Sequence, residues 1–408
     1  MIRNLRSKAA LLGLLVMAAA CQDDTLNRPF ASTPVDPMFA RYVSMGNSIT
    51  AGFQSAGILD STQNQSYAVL LSKAMHGPFY VPLMRRPGCP PPYTNVWTGA
   101  RLLGGSATTC ALRSVPAVPP PYISNVAVPG AKVISLYNNL DTSAHSNSLT
   151  QFFLGGLTQV QAMQRAQPTF VSLWIGNNDV LGAATAAAAG DSNQITPVAT
   201  FQTQYNTVLS AIDSAAPQGA ILVGVANVTD VPYFSAGATY WAIKNHLAPP
   251  DSFPTLFTVS ANCAPGLAGG RGDTTLVPFP YGAALLGAAA AGAPRNLDCS
   301  DSVVAIVTPP ELRKLVGTVL AYNAYISSQA TAHGWAYLDP NPALDSLHAV
   351  AAAVRPFPAI GAACSTNPFG TAFTCDGVHP SAATHRLIAR KLRDAINAKY
   401  TTAIPPIP

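Results

Sequence analysis

Charge is what this sequence has least of. Of its 408 residues only 10% are Asp, Glu, Lys or Arg, against a usual share of about 25%. Its 49% hydrophobic content excludes disorder by composition. The surface must therefore be carried largely by Ser, Thr, Asn and Gln. The formal charge of +5 gives little support to a polyanion partner, because Arg3, Arg6 and Lys8 sit in a leader-like segment. Setting those three aside from the 23 cationic residues leaves 20 against 18 acidic ones, so no electrostatic footprint for nucleic acid remains. The apolar run at residues 9–20 is too short for a membrane span of about 20 residues. There is no Cys-x-x-Cys and no Cys/His cluster, which argues against a zinc site. No Walker A stretch and no internal repeat occur, and neither a metal nor an organic cofactor is expected.

What is present begins with a basic leader, the short apolar run and Ala18-Ala19-Ala20 before Cys21. This order reads as a secretory signal over residues 1–20. A cysteine directly after it resembles the bacterial lipoprotein signal, which implies lipid attachment at Cys21. Gln22 is not the Asp associated with inner-membrane retention, so an exported, outer-membrane lipoprotein is expected. Plain secretion with an incidental Cys21 is the alternative. Residues 21–38 are polar and broken by Pro29, Pro34 and Pro37, and read as a tether. The other six cysteines fall as sequence-local pairs, Cys89 with Cys110, Cys263 with Cys299 and Cys364 with Cys375. In an oxidising compartment these pairs are expected as disulfides.

From residue 39 to 408 one domain is expected. Strands are read at 41–44, 122–128, 170–175, 220–225 and 335–338. Helices are read at 67–75, 149–165, 201–215, 311–332 and after Pro380. Strands alternating with helices predict an α/β fold: about five parallel strands in a three-layer, flavodoxin-like sandwich. Three irregular, Pro/Gly-rich insertions interrupt it, at about 82–121, 231–308 and 343–375.

Four short blocks carry chemistry. A strand runs into Gly46-Asn47-Ser48, where turn residues place a serine at a strand's C-terminal end, the ligand edge of open α/β sheets. Alone this is more often a helix cap. Asn125 to Gly130, then Gly176-Asn177-Asn178-Asp179, then Asp376-Gly377-Val378-His379-Pro380 follow. Asp376 lies three residues before His379, a spacing that lets the carboxylate reach Nδ1 and orient the imidazole as a base. An ordinary Asp/His turn pair is the alternative. Gly46-Asn47-Ser48-Ile49-Thr50 is not the Gly-x-Ser-x-Gly elbow, since Thr50 replaces the second glycine. Arg271-Gly272-Asp273 matches an integrin-binding tripeptide, in a Gly-rich loop where chance suffices. His385 is read as a surface residue of the last helix, and Asp179 as a residue that caps or orients its loop.

Taken in order, the four blocks resemble those of the SGNH (GDSL-type) hydrolases, over most of the chain from about Tyr42. Asn47 stands where the name-giving motif carries Asp. The resemblance implies the flavodoxin-like fold and a triad of Ser48, Asp376 and His379. It also implies an oxyanion hole formed by the amides of Ser48 and Gly130 and the side chain of Asn178. The expected function is a serine esterase or lipase that hydrolyses carboxylic esters through an acyl-enzyme. The substrate would be a small-molecule or lipid ester, with membrane contact through the anchor. A carbohydrate O-acetyl esterase on the same triad and a silent surface-binding lipoprotein remain alternatives. Selectivity for the acyl chain is expected from the 231–308 insertion, whose apolar section at 281–293 should border the cleft; the alternative is that this section simply covers a hydrophobic patch.

Overall fold

The computed structural model describes residues 33–114, 120–138, 148–250 and 253–408. The expected signal at 1–20, most of the 21–38 tether and Cys21 lie outside the described residues.

Four strands form the central sheet: β1 (Tyr42–Gly46), β2 (Phe170–Trp174), β3 (Gly219–Val223) and β4 (Ala336–Leu338). They pair in parallel, in the order β1-β2-β3-β4. The register sets Ser44 beside Ser172, Ser172 beside Ile221, and Ile221 beside Ala336. The principal helices are α1 (Tyr67–Met75), α2 (Gln159–Ala166), α3 (Asn178–Thr185), α4 (Val198–Ser214), α5 (Phe279–Ala290), α6 (Pro309–Ala332), α7 (Asn341–His348) and α8 (Ala382–Tyr400).

The period-2 alternation of the strands divides their side chains between two layers. Tyr42, Phe170, Trp174, Ile221 and Val223 pack on Tyr67 and Leu71 of α1 and on Ile388 and Leu392 of α8. Val43, Met45, Val171, Leu173 and Leu222 pack on the other side against Met163 of α2, Phe201 and Leu209 of α4, and Tyr322 and Ile326 of α6. Each such fully buried large side chain stabilises the fold by about 1.5–3 kcal/mol. A three-layer α/β sandwich follows, as the sequence predicts.

Some elements differ from expectation. Residues 122–128 do not form a strand; they reach β1 through one parallel bridge, Ser44 to Asn125. Three backbone hydrogen bonds still tie the segment to β1, from Ser44 N to Ser124 O, Val126 N to Ser44 O and Val128 N to Gly46 O. The Asn125 amide group diverts the chain by donating to Thr50 O and accepting from Ala127 N. The helix expected over 149–165 is two, Ser148–Leu154 and α2, because Gly155 and Gly156 turn the chain with φ of +65° and +88°. The last helix starts at Ala382, capped by the Ser381 hydroxyl, so Pro380 precedes the cap rather than occupying the first turn.

The 231–308 insertion is more ordered than its composition suggests. Phe234–Ala236 pairs with Leu276–Pro278, and Phe257–Val259 with Arg295–Leu297. Helix α5 lies over them, and Tyr240, Phe253, Phe257, Leu286 and Leu297 form a separate small core. Disulfides join Cys263 to Cys299 here, Cys89 to Cys110, and Cys364 to Cys375. Arg271 pairs with Asp301 and Asp273 accepts from Gly266 N, so that tripeptide is engaged within its own loop.

Candidate active site

β1 ends at Gly46 because nothing larger fits there. A Cβ on Gly46 would lie 2.4 Å from Thr50 Oγ1 and 2.5 Å from Trp174 O. The buried Gln159 amide grips both backbone groups of this residue, accepting from Gly46 N at 3.0 Å and donating to Gly46 O at 2.8 Å. Asn47 then caps the short helix Ser48–Ala51 by accepting from Ile49 N. Ser48 is its first residue rather than its cap.

Ser48 Oγ lies 2.9 Å from His379 Nε2, and His379 Nδ1 lies 2.8 Å from Asp376 Oδ2. An ionised carboxylate only accepts, so the proton between them is on Nδ1. That leaves Nε2 to accept from the Ser48 hydroxyl. The Phe53 ring stands 4.9 Å from the imidazole, centroid to centroid.

Asp376 is caged. Oδ1 accepts from Val378 N and His379 N, each at 2.9 Å, and from Thr374 Oγ1 at 3.1 Å. Oδ2 accepts from Ala56 N at 2.5 Å. Burial pushes this carboxyl up, but its interaction with the His379 ring and the backbone N–H groups of His379 and Val378 bring it down to about 2. The Ala56 donor comes from a tight hairpin turn. Gln54 N donates to Gly57 O, and Ser55 and Ala56 both have positive φ, at 54° and 52°, the geometry of a type I′ turn. Ser55 also receives Cys375 N on its hydroxyl and donates its own N–H to Thr374 Oγ1. This clamp, 320 residues from Asp376, has no Asn-Gly or Asp-Gly signature. The turn residues Ser55-Ala56 therefore carry no sequence signal for it.

Asn178 is the first residue of α3, and its Nδ2 donates to Ala131 O at 2.9 Å. It does not cap the helix; Asn177 stands at that position. Asp179, fully buried, accepts from Val133 N at 3.0 Å and from Thr196 Oγ1 at 2.9 Å, and so orients the loop after Gly130. Burial pushes its carboxyl up, to about 6. Ser48, Asn178 and His379 line one cavity. Gly130 is not among the lining residues; it stands exposed, with φ of +80°, on the loop that Asn178 and Asp179 hold.

His385 is a correction. It is completely buried, because it shares the apolar face of α8 with Ile388, Ala389 and Leu392, at the i+3, i+4 and i+7 spacing that the sequence already displays. Its Nδ1 accepts from Tyr67 N at 3.2 Å and its ring stacks on Tyr67. Burial and the His379 charge hold its pKa down at about 3, so it is neutral and ties the start of α8 to the start of α1. Among the described residues no group of three or more His, Cys, Asp or Glu could hold a metal ion, and no helix is long and apolar enough to cross a membrane.

No protein-family model and no curated protein matches the chain. Among solved structures it is similar to Axe2, an acetylxylan esterase from Geobacillus stearothermophilus, at 11% identity over 87% of this chain and 93% of that one, with a TM-score of 0.37. It is also similar to LAE5, an alpha/beta hydrolase enzyme from the metagenome of Lake Arreo, Spain, at 12% identity over 89% and 99% of the two chains, with a TM-score of 0.38.

Proposed function

We propose that the protein is a serine hydrolase of carboxylic esters, of the SGNH type, working through an acyl-enzyme. The observation that carries this reading is the continuous hydrogen-bonded line from Ser48 Oγ through His379 to Asp376, assembled from residues 331 and three positions apart. A nucleophile, a base within reach and an orienting carboxylate are the parts acyl transfer needs. Ser48 Oγ attacks the ester carbon as its proton passes to His379 Nε2. Asp376 stabilises the imidazolium that forms. The bond from carbon to the alcohol oxygen then breaks, and the alcohol leaves with that proton. Water next attacks the acyl-enzyme, gives its proton to His379, and the bond to Ser48 breaks, returning the hydroxyl. The Asn178 amide and the Ser48 backbone N–H are assigned to the oxyanion; an Nδ2 group carries two hydrogens, and Ala131 O uses one.

The complete triad favours this over a silent binding protein. Ser48→Ala and His379→Ala should each lower kcat on p-nitrophenyl acetate at least 1,000-fold with unchanged melting temperature. Either variant retaining activity within tenfold of wild type would overturn the assignment. The leader sequence further supports an exported protein anchored through Cys21. Labelled fatty acid should enter the wild-type chain and not Cys21→Ser, and incorporation into both would contradict it.

A further inference from the structure

The cavity at Ser48 has a neighbour of very different size. The inner pocket, about 50 Å³, contains Ser48, Asn178 and His379, is lined by Trp174, Val228 and Leu344, and opens to solvent past the exposed Asp230, Asp345 and His348. The outer groove, about 790 Å³, is walled by Trp97, Tyr233 and the α5 residues Phe279, Ala284 and Gly287. It reaches the site at Val378 and His379, and neither Ser48 nor Asn178 lines it. Trp97 and Phe279 meet edge to face at 4.9 Å, making one end of the groove aromatic. Leu181, Val378 and His379 are shared by both spaces.

The chemistry fixes which part of an ester enters each space. The carbonyl carbon must lie against Ser48 Oγ and its oxygen toward Asn178, both of which belong to the inner pocket. The alcohol oxygen must receive its proton from His379 Nε2, and His379 borders both spaces, so an alcohol portion too large for the inner pocket has the groove as its way out. We propose that substrate straddles His379 with its acyl group in the inner pocket and its alcohol portion in the α5 groove. The substrate class is then short-acyl esters of bulky apolar alcohols. This rests on the ester-hydrolase reading and moves the role of the 231–308 insertion from the acyl chain to the alcohol. α5 suits the task as a fixed wall. Leu286 and Ala289 anchor it in the insertion's core, while Ala284 and Gly287 are exposed toward the groove.

Two variants test the orientation on the intact protein. A Cβ at Gly287 meets nothing within 4 Å, and replacing a helix-interior glycine favours the helix, so Gly287→Leu fills the groove without loss of fold. Leu344→Ala enlarges the inner pocket. Two substrate series are needed. One is p-nitrophenyl esters from acetate to octanoate. The other is acetates of ethanol and of decahydronaphthol, alcohols of similar basicity. Wild type should favour acetate over octanoate, and decahydronaphthyl over ethyl acetate, each by at least about tenfold in kcat/KM, given about 0.8 kcal/mol for each buried methylene. Gly287→Leu should lower the decahydronaphthyl-to-ethyl ratio at least tenfold and leave the acyl preference in place. Leu344→Ala should raise butyrate relative to acetate at least threefold. If Gly287→Leu instead changes the acyl preference and spares the alcohol ratio, the orientation is overturned while ester hydrolysis stands. If wild type turns over neither series, the ester-hydrolase reading fails with it.

Discussion

Asp376 and Asp179 are both buried carboxylates, one bonded to His379 and one following Asn178, and their surroundings drive them in opposite directions. Burial pushes each one up. At Asp376 its interaction with the His379 ring and the backbone N–H groups of His379 and Val378 outweigh it, and the group falls to about 2. At Asp179 the Val133 amide, the Thr196 hydroxyl and the charge of Lys132 only partly offset burial, leaving it at about 6. Direct contact with the His379 imidazole and its backbone N–H separates a carboxylate that lies against the proposed base from an acid that fixes a loop. The first lies beside its partner in sequence. The second is joined to residues 46 and 17 positions away.

The largest expected consequence is catalytic. Asp376→Asn leaves the loop's shape but lets the imidazole adopt the wrong tautomer, so kcat on p-nitrophenyl acetate should fall about 10⁴-fold. A loss below tenfold would make Asp376 no different in kind from Asp179. Next comes Asn178→Ala, which removes a proposed oxyanion donor and should lower kcat by about 10²–10³ with little change in KM. An effect on KM alone would assign Asn178 to binding instead.

Stability should show the same contrast as two opposite pH slopes. Asp376 has a depressed carboxyl, so its contribution of about 2 kcal/mol is present above pH 4 and is lost as pH falls toward 2. Asp179 has a raised one. Its contribution of about 3 kcal/mol is present below pH 4 and is lost as pH rises through 6. Urea unfolding across pH 2–8 should therefore show a limb of rising stability between pH 2 and 4 that shrinks in Asp376→Asn, and a limb of falling stability between pH 4 and 6 that shrinks in Asp179→Asn. Identical slopes in wild type and Asp179→Asn would remove the basis for the comparison. The smallest effect belongs to the clamp. Ala56→Gly keeps the N–H that reaches Asp376 and relieves a left-handed alanine. Glycine's extra freedom in the unfolded chain offsets part of that gain. Stability should rise by less than about 1 kcal/mol, and kcat should stay within twofold; a tenfold loss of kcat would mean that the strained turn sets the Asp376 geometry.

Much of this was legible in the sequence where one residue's partners are local or periodic. The runs at 170–174 and 219–223 are apolar but for Ser172 and buried on both faces, and Asp376 and His379 stand within four residues of one loop. What stayed hidden depends on distant backbone. Nothing local marks Gln159 as the residue that grips Gly46, or Ala56 as a donor to Asp376. Residues 122–128 have strand-like composition, yet Asn125 spends its amide on Thr50 O and Ala127 N and leaves only one bridge. The 231–308 segment looked irregular because its small core is built from residues scattered across its length, from Tyr240 to Leu297. The spacing of His385 to Ile388 and Leu392 points inward, and the burial of the imidazole follows that stripe rather than the polarity of the residue type.

The central claim is that Ser48 is the nucleophile activated by His379. A fluorophosphonate probe, read by intact mass and peptide mapping, tests it without a substrate having to be known. One adduct per chain is predicted, on Ser48, absent from Ser48→Ala and strongly slowed in His379→Ala. An adduct that persists in folded Ser48→Ala, or none at all on the wild-type protein, would contradict the account.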